Sequence, residues 1–158
     1  MKVYILRGLI GSGKSTWAKK ECLAQETYVV SPDKIRAMLN AEYVYNEEED
    51  ELVTTICKEA IEIILEAGFD VIVDGCNLTY EGRIEEWLIA AAGFDTKIIG
   101  VIFPEKDKDW HVQRVVKSDK GCCKKYWEEV WDIQHEQYER SQGLWFDEVI
   151  RLGEQDVS

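Results

Sequence analysis

Gly8, Gly11, Gly13, Lys14 and Ser15 stand in the spacing G-x-x-x-x-G-K-S, a set of residue types able to hold a polyphosphate. Glycines let the backbone curl with its N–H groups pointing inward around an anion. The positive end of a helix starting at Lys14 adds to that field. Lys14 would reach the outer phosphates, and the Ser15 hydroxyl would hold magnesium. Ser12 and Thr16 complete the segment expected to bind ATP.

Two carboxylates follow apolar runs and could work beside that loop. Asp33 comes after Val29-Val30-Ser31-Pro32, and Asp74 ends Val71-Ile72-Val73. Phosphoryl transfer needs a group that orients and deprotonates the acceptor hydroxyl. Asp33 could be that base, or it could cap the helix that follows it. Asp74 could contact magnesium through water, or serve the turn at Gly75. Arg36 lies three residues beyond Asp33 and would stay near the same helix face. There it could grip an acceptor phosphate through both guanidinium edges, or it could be a surface arginine.

Residues 106–125 form a basic island with Lys106, Lys108, Arg114, Lys117, Lys120, Lys124 and Lys125. Such a segment suits a lid that closes over a polyphosphate and expels water, although a solvated helix pair would also carry these lysines. His111 and His135 lack partner spacing and read as structural or surface residues. Most of the six tryptophans read as core, with Trp127 and Trp131 one turn apart and expected to pack against a sheet. The five cysteines lack metal spacing and read as reduced thiols, with Cys122-Cys123 in a mobile segment.

The elements that must position these groups alternate along the chain. Apolar runs predict strands at 2–7, 28–32, 69–74, 96–103 and 148–152. Helices are expected after the glycine loop and over 33–40, about 46–67, 80–92, 107–117 and 123–141, with a break near Gly121. The acidic run Asn46 to Glu51 reads as a solvated helix start. Leu52, Ile56, Ala60, Ile63 and Ala67 are expected on that helix's buried face, with Gly68 ending it. The pattern predicts an α/β protein with a doubly wound, five-stranded parallel sheet. Ligands would sit beyond the carboxyl ends of the strands, where Gly8, Asp33 and Asp74 fall.

At 158 residues, with 46% hydrophobic and 32% charged residues, the chain reads as one domain over 1–158 with a lid at about 106–125. A net charge of −12 argues against a surface that grips nucleic acid all over, though a local basic groove is compatible with it. A strand beginning almost at Met1 leaves no room for a signal peptide, and apolar runs are too short to span a membrane. The expected location is cytoplasmic.

Gly11-Ser-Gly-Lys-Ser-Thr-Trp-Ala18, Ser31-Pro-Asp-Lys-Ile-Arg36, Val73-Asp-Gly-Cys-Asn-Leu78 with Arg83, and Gly143-Leu-Trp-Phe-Asp-Glu-Val-Ile150 resemble the P-loop kinase domain of phage-type polynucleotide kinase and its relatives. The resemblance implies a kinase fold with a helical lid, ATP and magnesium as cofactors, and the 5′-hydroxyl of DNA or RNA as acceptor. It implies Lys14 on phosphate, Ser15 at magnesium, Asp33 as general base, and Arg36 on an acceptor phosphate. Asp74, Asn77 and Arg83 fall on the substrate side, and Arg114 in the lid. Polynucleotide-phosphorylating members carry a second lid arginine, whereas this chain has Lys117 and Lys120 in that stretch, and a lysine lacks the planar fork. Zeta-toxin-like and chloramphenicol phosphotransferase-like relatives share the plan and phosphorylate small acceptors. A nucleoside, sugar, amino sugar, antibiotic or modified base in DNA is therefore an alternative acceptor, and a nucleotide switch without transfer is a third reading. Related kinases often self-associate, so a homo-oligomer is compatible with the resemblance.

Overall fold

A computed structural model describes residues 1–41, 45–118, 122–138 and 145–157. Lys120, the break at Gly121, the continuation of the last long helix to Ser141, and Gly143-Leu144 of the tail motif lie outside the described residues.

Five strands form one parallel sheet in the order β2-β3-β1-β4-β5. They are β1 (Lys2–Arg7), β2 (Tyr28–Val30), β3 (Val71–Val73), β4 (Lys97–Ile102) and β5 (Glu148–Arg151). Val3 pairs with Val71 and Ile98, and Ile5 with Val73 and Gly100, so the central strand is apolar on both faces. That is the composition a parallel sheet covered on both sides requires. The doubly wound sheet expected from the apolar runs is thus the observed architecture.

Among the described residues the α-helices are α1 (Lys14–Gln25), α2 (Pro32–Asn40), α3 (Asp50–Glu66), α4 (Glu85–Ala91), α5 (Lys108–Lys117) and α6 (Lys124–Gln137). On one face Val3, Ile5, Val71 and Val73 pack with Val53, Cys57, Ile61 and Leu65 of α3 and Trp87 of α4. On the other, Tyr4, Leu6, Ile72 and Val101 pack with Ala18 of α1 and with Val157.

The buried face of α3 differs from the expected one. Leu52 and Ile63 are 53% and 62% exposed, and Ala67 is also exposed. The stripe against the sheet is Val53-Cys57-Ile61-Leu65, rotated by about one residue from the expected row. Apolar residues flank both rows, so periodicity alone did not discriminate between them. Gly68 does end the helix: at φ +85° it lets its own N–H reach Leu65 O and that of Phe69 reach Ile64 O.

Regular helix begins at Glu85, not Tyr80. Glu81 is extended (ψ 134°) and Gly82 is left-handed (φ +70°), so residues 80–84 form a kinked turn that swings Arg83 inward. Trp127 and Trp131 pack with Ile10, Val112 and Val115, against the glycine loop and α5 rather than the sheet. The glycine loop, α5 and α6 thus share a small core of their own. All five cysteines are free. Among the described residues, no helix is long and apolar enough to cross a membrane.

Candidate active site

The glycine loop leaves β1 at Arg7 and enters α1 at Lys14. Its glycines are required by space as well as by φ. At Gly11 (φ +66°) a Cβ would lie 2.3 Å from His111 O and 2.9 Å from a Val115 methyl carbon. At Gly13 (φ +99°) it would lie 2.9 Å from Val157 Cβ, and at Gly8 it would press on Ser12 and Phe103. Lys14 folds back into the loop, and its ammonium donates to Gly8 O (2.9 Å), Leu9 O (2.7 Å) and Ser12 Oγ (3.2 Å). Buried as it is, the cation would be costly without these acceptors.

Neighbouring elements brace the loop. Gly8 N–H donates to Cys76 O after β3 (3.2 Å), and Ile10 N–H to Gln134 Oε1 of α6 (2.8 Å). His111, fully buried, sets its Nδ1 2.7 Å from Ile10 O and accepts from Lys106 N–H through Nε2 (3.1 Å). Burial lowers its pKa to about 4, so the ring is neutral near pH 7 and carries its proton on Nδ1. The sequence marked Arg114 as a lid cation. Its Nε donates to Gly11 O (2.8 Å), its Nη2 bonds Val157 O, and its plane stacks on Trp110 at 4.5 Å. Lys117 is exposed at the end of α5. Nothing in the sequence singled out Gln134, because a lone glutamine on a helix carries no motif.

Asp74 is buried at the end of β3, with the Ser15 hydroxyl near it. Parallel pairing fixes it there: Val30 lies opposite Val73, and Asp74 N–H donates to Val30 O at 2.8 Å. Burial raises its carboxyl above the ordinary range; the Ser15 hydroxyl, Lys14 and Lys34 oppose that, while Asp33 adds to it. Asp74 is thus within electrostatic reach of both the loop and Asp33. Thr16 is exposed beside Ser15.

Asp33 is in the first turn of α2, after Pro32 at the first helical position, and its side chain is 55% exposed. Arg36 Nη1 donates to it at 3.2 Å. Arg36 itself is only 4% exposed, unlike a surface arginine. Its Nη2 bonds Asp50 Oδ1, and the Tyr45 ring covers its plane at 5.2 Å. Arg83 Nη2 donates to the other Asp50 oxygen at 2.7 Å. The expected solvated helix start at 46–51 is thus corrected at Asp50, which ties two arginines together. Burial holds the Tyr126 hydroxyl above its ordinary range, with Cys122 and Asp33 adding to the effect.

Asn77, expected on the substrate side, is buried and bonds to neighbouring backbone and Trp87. Its Nδ2 donates to Leu6 O (2.6 Å) and Gly75 O (3.3 Å), and its Oδ1 accepts from Trp87 Nε1 (2.8 Å). Arg7, unremarked in the sequence, is fully buried in the same turn and donates to Asn77 O and Leu78 O, both at 2.7 Å. Its guanidinium lies over Tyr138 and Trp145. A groove of about 350 Å³ opens beside Gly13 and Thr16, bounded by Trp17, Leu152 and Val157.

Known structures share this arrangement of elements. A structure of the Pnkp1/Rnl/Hen1 complex aligns with 75% of this chain at 23% identity and a TM-score of 0.61, and the chain covers 38% of that protein's length. Chaetomium thermophilum Kti12, solved with ADP-AlF3, aligns over 98% of this chain and 93% of its own, at 16% identity and a TM-score of 0.66. Mycobacterium tuberculosis APS kinase CysC, solved with AMPPNP and APS, aligns over 95% and 87%, at 20% identity and a TM-score of 0.62. No curated protein is significantly similar to this chain in sequence. Residues 3–141 match the family described as AAA domain, so the chain belongs to that family and has the fold of the P-loop kinases.

Proposed function

We propose that this chain transfers the γ-phosphoryl group of ATP to an alcohol, and that its acceptor is the 5′-hydroxyl of a polynucleotide. The observation supporting this reading is that Lys14, Ser15 and Asp33 all act electrostatically on the buried Asp74, while Asp33 is bonded by the buried Arg36, so a phosphate cradle and a buried guanidinium share one edge of the sheet. A bare nucleotide switch has no use for Asp33 and Arg36 at that edge.

The residues fit ATP with magnesium. The loop enters α1 at Lys14, where the positive end of a helix favours a phosphate, and the Ser15 and Asp74 oxygens suit a hard cation. The groove beside Gly13 would take the nucleoside end. Bound ATP and magnesium would supply the transferable group and screen its charge. Lys14 would exchange its loop carbonyls for phosphate oxygens. Asp33, half-exposed and oriented by Arg36, would accept the proton of the acceptor hydroxyl, an effect worth roughly 10²–10⁴ in rate. Arg36 would hold a phosphate of the acceptor strand.

A second reading has its own support. The net charge is −12, and Glu49 and Asp50 flank Arg36, with Asn40 donating to Glu49 at 3.1 Å. This acidic rim suits a small neutral or cationic alcohol better than a polyanion.

One assay separates the two readings. Labelled γ-phosphate is offered with magnesium to a 5′-hydroxyl oligonucleotide, to its 5′-phosphorylated twin, and to nucleosides and sugars, with Lys14→Ala as control. Label on the 5′-hydroxyl strand alone supports a polynucleotide kinase. Label only on a small alcohol replaces it with the second reading, and label on nothing sinks both.

A further inference from the structure

Arg36 and Arg83 come from different elements, α2 and the kinked turn before α4, yet their guanidinium groups meet on one carboxylate. Asp50 gives one oxygen to each, and Arg83 is held from its other side by Thr54 Oγ1 at 3.3 Å. Arg36 is nine-tenths buried and covered by Tyr45, and its buried Nε has no partner among the described residues. Asp50 is more open, with 25% of its side chain exposed, so solvent reaches the carboxylate and not the arginine behind it. Paired guanidinium groups around two oxygens form the geometry in which carboxylates and phosphates replace one another.

We propose that Arg36 and Arg83 form an anion subsite, that Asp50 fills it in the free protein as an internal competitor, and that the phosphate of the acceptor strand takes its place. This deepens the polynucleotide reading and rests on it for the identity of the acceptor. Burying Arg36 without a counter-ion would be costly, so a carboxylate on the same chain keeps the site folded between substrates. The acceptor phosphate must then outcompete Asp50, which selects acceptors carrying an anion next to the hydroxyl over those without one. Once Asp50 leaves, Arg36 still touches Asp33, so the subsite and the base stay connected. Asp50 touches no reacting atom in this scheme and acts through the two arginines.

Binding tests this without requiring turnover. The probes are thymidine 3′-monophosphate and thymidine, with ADP and magnesium present to occupy the glycine loop. Wild-type protein should prefer the 3′-phosphate. Asp50→Asn should tighten that ligand by about tenfold or more while thymidine stays within about twofold, and adding Arg83→Met should abolish the gain. A folded Asp50→Asn protein, judged by circular dichroism, that binds the 3′-phosphate no better than wild type overturns the proposal. If that variant does not fold, the wild-type protein decides. The side-chain NMR signals of Arg36 and Arg83 should both move with the 3′-phosphate and neither with thymidine, and two unmoved signals at saturation overturn it. Wild-type protein that behaves as expected yet labels no 5′-hydroxyl keeps the subsite and sinks the acceptor assignment. Labelling of 5′-hydroxyls with no response to Asp50→Asn does the reverse.

Discussion

His111 places its Nδ1 2.7 Å from the carbonyl oxygen of Ile10, so an uncharged imidazole is part of the frame of the phosphate loop. Burial pushes its pKa from 6.5 to about 4. Between those values the unfolded chain binds a proton that the folded protein resists, so stability rises with pH across that window and is lost as pH falls through it. The full effect is about 3 kcal/mol. Denaturation followed from pH 7 to pH 4 should show the loss, and His111→Asn, which keeps a donor for Ile10 O, should flatten the profile. An unchanged slope in that variant would remove His111 as the cause.

Gly11 and Gly68 test space against backbone conformation. Both have positive φ, but a Cβ on Gly68 meets nothing within 4 Å, whereas one on Gly11 would lie 2.3 Å from a carbonyl oxygen. Gly68→Ala should cost about 1 kcal/mol, the left-handed strain alone. Gly11→Ala should cost at least about 2 kcal/mol and weaken ATP binding. Urea melts giving the two variants equal losses would contradict the tight approach of α5 to the loop.

Asp33→Asn should lower phosphoryl transfer by roughly 10²–10⁴-fold with little change in ATP affinity. Equilibrium nucleotide binding alongside single-turnover rates separates the two effects. Near-normal transfer in the variant would show that another group takes the proton.

Asp74 carries a carboxyl whose pKa is raised, chiefly by burial. Its neutral form favours the fold, so this contribution is present at low pH and lost as pH rises through the raised value. Asp74→Asn should therefore raise the melting temperature of the free protein at neutral pH while weakening magnesium-dependent nucleotide binding. A variant that melts lower without nucleotide would show that the attraction of Ser15, Lys14 and Lys34 outweighs the burial cost.

Chemistry with a motif was legible in the sequence, and so was the sheet, because apolar runs of strand length between helices leave few arrangements. The buried arginines were not. Arg7 reads as the last residue of a strand, and Arg36 as a cation that could be at the surface. Both are enclosed because distant groups, Asn77 O and Leu78 O for one and Asp50 for the other, satisfy their donors. Asp50 itself was lost among neighbouring acids, since charge density in a sequence says nothing about which carboxylate turns inward. The face of α3 was misread for a similar reason: two apolar rows run side by side, and only the sheet selects one.

Arg114 joins three parts of the chain made at very different times. Its guanidinium bonds Gly11 O and Val157 O, and Val157 also closes against Gly13. On the ribosome, the glycine loop emerges early and waits for α5, then for the segment beyond β5. A nascent chain lacking that last segment has the motif without its backing. Nucleotide capture should thus wait until the segment around residue 157 can reach the loop, and not begin when the motif itself appears.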